Sequence, residues 1–385
     1  MRSTQKMAGI ASLLTLFGLG TANAADVLVP PPAPAPNANT IQLKVSGQVN
    51  RAVLYADNDD DDEVFFVDND NSGTRFRFVA SGRLNDDITA GATIELQFES
   101  SSTTDIRFGN NGGTGGTPLG GGGNGVGERI GEVWFNSASM GKLSLGQGNT
   151  ASNGTSEVDL SGTGIISYSG VADSGGGLGF AQTNGAGTAD DDRIGQIFTN
   201  LDGGSRRDRI RYDTLTFAGF RASSSASQGG RWDVALRYAN QFAGARVAGA
   251  IAYQGANAVG AGNRINGSLS VLLDNGLSLT VAGGENENNG RKDTMFYYGK
   301  VAFTTSSISQ YGKTSFGIDY FKIEDSRANG EDGTSYSAHV VQNLNPVGAQ
   351  LYLSARVYEE DVRDGAVTGN PDDIFIIIAG SRIKF

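Results

Sequence analysis

From residue 41 onward, apolar and polar positions alternate with a period of two, in runs of strand length separated by turn-forming stretches. Within 41–56, Ile41, Leu43, Val45, Val49, Val53 and Tyr55 share one parity and Gln42, Lys44, Ser46, Gln48 and Asn50 the other, with Arg51 the one break in the apolar face. Within 89–99, Ala90, Ala92, Ile94, Leu96 and Phe98 alternate against Thr89, Thr93, Glu95, Gln97 and Glu99. Successive side chains of a strand point to opposite faces, so each segment has one face in an apolar medium and one in water. The same reading predicts strands near 73–82, 128–138, 142–149, 208–213, 219–228, 231–242, 245–254, 264–273, 277–286, 294–304, 313–324, 334–344, 349–359 and 374–385, sixteen in all. The last of these ends on Phe385, with Phe375, Ile377, Ala379 and Ile383 on its parity and Gly380, Arg382 and Lys384 on the other. Such a strand is expected to close against 41–56, because an open sheet edge finds no hydrogen-bond partners in lipid.

The connections carry a second signal. Those at 83–88, 139–141, 214–218, 243–244, 274–276, 305–312 and 344–348 are short and turn-like. Those at 57–72, 100–127, 150–207, 229–230, 255–263, 287–293, 325–333 and 360–373 are mostly longer and polar, and the two sets alternate strictly. Gly229-Gly230 is the tight member of the long set. Short turns at one end and long loops at the other mark a transmembrane barrel, and an even strand number returns both termini to the same side. The predicted fold is all-β: a sixteen-stranded antiparallel transmembrane β-barrel with short periplasmic turns and longer extracellular loops.

Residues 1–24 have the pattern of an export signal, with Arg2 and Lys6 before an apolar stretch and Ala22-Asn23-Ala24 at its end. That stretch is shorter than the roughly 20 residues needed to span a bilayer as a helix. Residues 25–40 carry Pro30, Pro31, Pro32, Pro34 and Pro36 and predict an extended periplasmic lead-in, leaving 41–385 for the barrel. The chain has 57 Gly, 8 Pro and no Cys, which removes any disulfide framework. Its 41 acidic and 30 basic residues leave a net charge of −11, unsuited to nucleic acid, which needs clustered positive charge. No cofactor is expected. Tyr55, Phe98, Trp232, Tyr238, Tyr253, Tyr297, Phe303, Phe316, Tyr320, Phe375 and Phe385 all fall on the apolar parity, as two interfacial girdles require. Tyr298, Phe321, Tyr352 and Tyr358 are the inward aromatics, too scattered to form a sugar track.

Three stretches, in order, resemble the Gram-negative general porins. They are Gly73-Thr74-Arg75-Phe76-Arg77-Phe78 with the turn at Leu84-Asn85-Asp86-Asp87; Val133-Trp134-Phe135 leading into Met140-Gly141-Lys142-Leu143; and Arg209-Ile210-Arg211-Tyr212-Asp213 with Phe217-Ala218-Gly219-Phe220. The resemblance implies a homotrimer of water-filled channels for passive diffusion of ions and small hydrophilic solutes in the outer membrane of a Gram-negative bacterium. It also implies a third loop folded into the lumen, and a terminal Phe385 read as a signal by the barrel-assembly machinery. Outer-membrane lipid and lipopolysaccharide would be the surroundings.

If 150–207 is that loop, Glu157 and Asp159 would face a basic wall formed by Lys44, Arg75, Arg77, Arg129, Arg209 and Arg211, all on inward parities. Opposed charge across a narrow gap creates a transverse field that sorts solutes. Two other classes stay open on the residues alone. His339 shares the inward parity of its strand with Ser335 and Ser337, the raw material of a hydrolase, and a surface-layer or adhesive β-protein would lack a channel. Six acids within 57–63 invite a calcium reading, but their spacing fits no EF-hand and a solvated acidic loop accounts for them.

Overall fold

A computed structural model describes residues 41–109, 125–181, 192–255, 262–362 and 371–385. The export segment expected at 1–24 and the lead-in at 25–40 lie outside the described residues. The strands are β1 (Gln42–Asp57), β2 (Asp62–Asp68), β3 (Arg75–Arg83), β4 (Ile88–Glu99), β5 (Gly125–Ser137), β6 (Gly141–Asn149), β7 (Arg206–Asp213) and β8 (Phe220–Ser227). They continue as β9 (Arg231–Phe242), β10 (Ala245–Gln254), β11 (Arg264–Leu273), β12 (Leu277–Asn286), β13 (Thr294–Thr305), β14 (Thr314–Glu324), β15 (Glu331–Leu344), β16 (Ala349–Val362) and β17 (Ile374–Lys384).

Consecutive strands from β3 to β17 pair antiparallel, and β1 pairs with β3 along its first half and with β17, so the sheet closes on itself. β2 is an extra segment rather than an extra stave. It pairs with the second half of β1, from Arg51↔Asp68 to Asp57↔Asp62, on the edge that β3 occupies lower down. A one-turn 3-10 helix at Asp70–Ser72, where the Asn69 side chain accepts from the Asn71 N–H, splits that stave in two. The result is a closed sixteen-stranded antiparallel barrel.

The expectation of a loop across 57–72 is thereby corrected. Residues 64–67 show no polar parity because both faces lie against apolar groups: Phe65 and Val67 are buried inward, whereas Val64 and Phe66 face outward. Along most other staves the alternation holds. On β13, Phe296, Tyr298, Lys300 and Ala302 are buried inside the barrel and Tyr297, Val301 and Phe303 are exposed on its outer surface.

The closing seam is formed as the terminal pattern predicts. Asn50 pairs with Arg382 and Gln48 with Lys384, while Ile383 and Phe385 are exposed outward. The Gly47 N–H donates to the Phe385 carbonyl at 2.8 Å, and the Phe385 N–H donates back at 3.1 Å. The Phe385 ring lies over Gly47, where a Cβ would come within 2.8 Å of it, and packs at 5.4 Å centroid distance from Phe76. A side chain at residue 47 would displace the last residue of the seam.

The connection between β6 and β7 turns into the barrel. Wall serines meet it: Ser268 Oγ accepts from the Val158 N–H and Ser270 Oγ from the Leu160 N–H, each at 2.9 Å. Farther round, Tyr358 donates to the Val171 carbonyl at 2.6 Å and Ser326 to the Ile197 carbonyl at 2.6 Å, next to a single helical turn, α1 (Ile194–Ile197). Between these contacts the loop's Ile165, Ile166, Val171, Leu178, Ile197 and Phe198 form one apolar cluster with wall residues Leu54, Phe296, Phe321, Tyr358, Ile374 and Ile376. Each such side chain, fully removed from water, contributes about 1.5–3 kcal/mol, against about 0.5–1.5 kcal/mol for a typical hydrogen bond. Apolar burial therefore seats the loop, and the serines set its height. The inward aromatics Tyr298, Phe321, Tyr352 and Tyr358, scattered in sequence, all belong to this cluster.

Candidate functional site

The loop lies against the β8–β17 side of the lumen and leaves a gap against β3–β7. Register builds the far wall of the gap. β3 carries Arg75 opposite Gln97 and Arg77 opposite Glu95 of β4. Between β4 and β5 the pairing slips after Glu95, so that Ile130 pairs with Glu95 and Glu128 with Leu96. Such a bulge re-aims a side chain, and here it turns Arg129 toward the lumen beside Ile130. Glu95 accepts from Arg77 Nε at 2.5 Å and from Arg129 Nε at 2.8 Å, and Arg129 also donates to Gln97. The Arg75 side chain makes no hydrogen bond or ion pair with any described residue.

The loop supplies the opposite rim. Glu157, Tyr168, Asp173 and Asp202 line a cavity of about 420 Å³ together with Arg75, Arg77, Arg129 and Arg206. Asp70, from the turn that breaks the second stave, also reaches it. Asn200 donates to Glu157 at 3.1 Å, and the Tyr168 hydroxyl donates to Asp173. Burial, reinforced by Asp202 and Asp173, pushes the Glu157 carboxyl well above its usual range. Burial likewise raises Asp173 to about 7, with Asp70 adding to the shift while the Tyr168 hydrogen bond, Arg129 and Arg206 oppose it. Guanidinium groups and carboxyls thus face each other across a wet gap.

Not all the expected residues meet there. Arg75, Arg77, Arg129 and Glu157 do. Asp159 does not: its Oδ2 lies 2.7 Å from Lys300 Nζ on β13, with both side chains almost wholly buried. Burial opposes its ionisation, but Lys300 and the Ser161 N–H hold its carboxyl below the usual range. Asp159 is an anchor of the loop, and the reading that placed it on the rim is corrected. Lys44 sits exposed near the start of β1, two inward positions before the Gln48 that pairs with Arg75, and is not among the residues that line the gap. Arg209 and Arg211 line a second cavity, of about 460 Å³, toward the short turns. Their donors are committed: Arg209 to Glu132 at 2.5 Å and to the Asn149 carbonyl, Arg211 to Asp213 at 2.8 Å and to the Thr150 carbonyl.

Asp173, Asp202 and Arg206 were missed by pattern reading. Arg206 opens β7 two residues before the predicted start, and the two aspartates lie in a loop whose path no local periodicity reports. The inward Ser337, His339 and Asp319 do come together, though not as a catalytic triad. Ser337 Oγ donates to Asp319 at 2.5 Å and lies 3.1 Å from His339 Nδ1, the same nitrogen that Asp319 approaches at 3.7 Å. A nucleophile and its orienting acid need opposite ring nitrogens. All three groups are buried, and Arg356 Nη2 bonds the same carboxylate at 2.9 Å.

The sequence profile of a family described as Gram-negative porin matches residues 11–363. No curated protein sequence matches the chain. Among solved structures, it is similar to an anion-selective porin from Comamonas acidovorans, with a TM-score of 0.58, 16% identity, and coverage of 90% of this chain and 100% of that one. It is also similar to the trimer form of in-vitro folded OmpT, an outer membrane protein of Vibrio cholerae, at TM-score 0.55 and 14% identity, covering 90% and 100%. The outer membrane channel DcaP of Acinetobacter baumannii aligns at TM-score 0.52 and 12% identity, covering 92% and 100%. At these identities the likeness is one of fold.

Proposed function

The chain belongs to the Gram-negative porin family, and from that premise we propose that the gap between Arg75 and the loop carboxyls is the selectivity filter of its channel. The protein is an outer-membrane channel for passive diffusion of ions and small hydrophilic solutes. The observation that carries the proposal is the cavity lined by arginines of β3, β5 and β7 on one side and by Glu157, Asp173 and Asp202 on the other. Arg77 and Arg129 hydrogen-bond Glu95, whereas the Arg75 guanidinium lies in that carboxylate's field without a hydrogen bond or ion pair, so its N–H donors are the ones left for a passing ion. That favours anions, in line with the name of the Comamonas acidovorans neighbour. The test is the reversal potential of purified protein in planar bilayers under a KCl gradient. A stepwise conductance with chloride preference is expected, and cation preference in the wild type would sink the filter assignment.

The assembly proposed is a homotrimer in contact with lipid and lipopolysaccharide, as the trimer form of the Vibrio cholerae neighbour suggests. Phe385 is proposed as the mark read by the barrel-assembly machinery, and its outward exposure supports that reading. Residues 1–24 are proposed as the export signal and 25–40 as a periplasmic lead-in, so Edman sequencing of the mature protein should begin at Ala25. Hydrolysis is disfavoured by the family and fold, and by the single ring nitrogen on which Ser337 and Asp319 converge.

A further inference from the structure

The second cavity, between the gap and the short turns, has a different charge balance from the first. Arg77, Lys142, Arg209, Arg211 and Arg221 line it, against the carboxylates of Glu132 and Asp213. Three of these cations are matched: Arg209 by Glu132, Arg211 by Asp213, and Arg77 by Glu95 from the neighbouring strand. Two are not. Lys142 Nζ stands 3.7 Å from Glu132 Oε1, beyond hydrogen-bond range, and 5.2 Å from the centre of the Trp134 ring. Arg221 donates from Nε to Thr216 Oγ1 at 3.4 Å, and its terminal nitrogens have no partner among the described residues.

Lys142 follows the turn that leads into β6, and Arg221 follows the turn that leads into β8, so both stand at the short-turn mouth of the cavity. The low-dielectric barrel wall behind them concentrates their field in the water between. Asn136, Ser144 and Thr216 add neutral donors to the lining, and the indole Nε1–H of Trp134 is taken by Thr93 Oγ1 at 3.2 Å. At about 460 Å³ the cavity has room for a small anion with part of its water shell, at roughly 30 Å³ per water. A monovalent ion gains from either cation singly. A dianion feels twice the attraction from each of the two cations and accepts several charge-assisted hydrogen bonds.

We infer that this cavity, with the N–H groups of Lys142 and Arg221 that no acceptor takes as its donors, is a binding subsite for small phosphate-class dianions on the short-turn side of the gap. The inference rests on the channel reading for its access route, but its chemistry is separate from that of the gap. A phosphate held there would retard chloride flow from the short-turn side and leave charge selection at Arg75 unchanged.

The experiment titrates inorganic phosphate at constant chloride into bilayers holding the purified full-length protein, from each side in turn, for wild type, K142Q/R221Q and R75Q. A parallel ³¹P NMR titration of the detergent-solubilised protein reads binding without conduction, and inorganic sulfate serves as a second dianion. Expected are phosphate line broadening, and a chloride block that needs about tenfold less phosphate from the short-turn side. Both should weaken about tenfold in K142Q/R221Q, persist in R75Q, and return in K142R/R221K, which keeps the charges. Unchanged chloride current and sharp phosphate lines in the wild type would overturn the inference, as would a block that K142Q/R221Q leaves intact. Absence of conductance with phosphate broadening that depends on Lys142 and Arg221 would instead strike the channel reading alone. K142Q/R221Q must first show wild-type heat-modifiability; if it fails to fold, K142Q and R221Q singly carry the same comparison.

Discussion

Lys300 Nζ lies 2.7 Å from Asp159 Oδ2, a buried ion pair that joins the β13 wall to the inward loop at the point where Thr163 and the Ser167 carbonyl also accept from the ammonium. Removing one partner leaves the other charged and buried, which costs about 3–5 kcal/mol, whereas removing both costs far less. K300M is expected to lower the temperature of heat-modification and add current noise in bilayers. K300M/D159N should recover most of the loss. Equal losses in single and double variants would show that the pair does not hold the loop.

Arg75 and Arg77 differ in what neutralising them should do. R75Q removes a charge that no hydrogen bond or ion pair holds, so the chloride-to-potassium permeability ratio should fall about two- to threefold, the size of one charge acting across several ångströms of water. R77Q also frees Glu95 from one of its two guanidinium partners, with Arg129 still bound. Reversal potentials in a KCl gradient distinguish the two, and identical shifts would contradict the pairing.

Charge selection should depend on pH through Asp173. Its carboxyl holds its proton up to about 7 in the fold, compared with 3.8 ordinarily. As pH rises through 7 the gap gains a negative charge, and cation permeability should rise with it. Because the folded state binds the proton more tightly, the stabilisation is fully present below pH 4 and is lost as pH climbs through 7. D173N should flatten the permeability change between pH 5.5 and 8, the range being about one to two units either side of that value.

Gly47 and Phe385 predict a defect in closure. G47V would drive a branched side chain against the Phe385 ring and the Arg75 carbonyl, both within 3 Å of the position its Cβ must take. Overpacking of this kind costs about 1–3 kcal/mol. Heat-modifiability in gels should show a reduced folded fraction, and F385A should lower yield in cells more than refolding yield in detergent, where no assembly machinery acts.

The strand pattern was legible because lipid imposes it: an outward residue on any stave meets the same solvent, so parity alone locates strands such as β9 to β12 to the residue. β2 escaped because Phe65 and Phe66 point to opposite sides and both find apolar surroundings, which erases alternation. Ile376-Ile377-Ile378 carried the same signal in the last strand. Ile376 and Ile378 touch the inward loop while Ile377 faces lipid, and a run without a polar parity is the mark of a strand buried on both faces. Arg75, Arg77 and Arg129, which the inward parities of the sequence single out, line one cavity. Asp159 was misplaced because one residue's path along a folded-in loop depends on partners such as Lys300, more than a hundred residues away.

The apolar seat of the inward loop has a mechanical consequence. Interiors packed at about 0.74 of their volume resist compression, and one rim of the gap is the edge of such an interior. The bore is then a fixed dimension rather than an average over a swinging tether. Open-channel conductance should follow the mobility of the bulk electrolyte as temperature changes, with no extra activation of its own, until the barrel itself gives way.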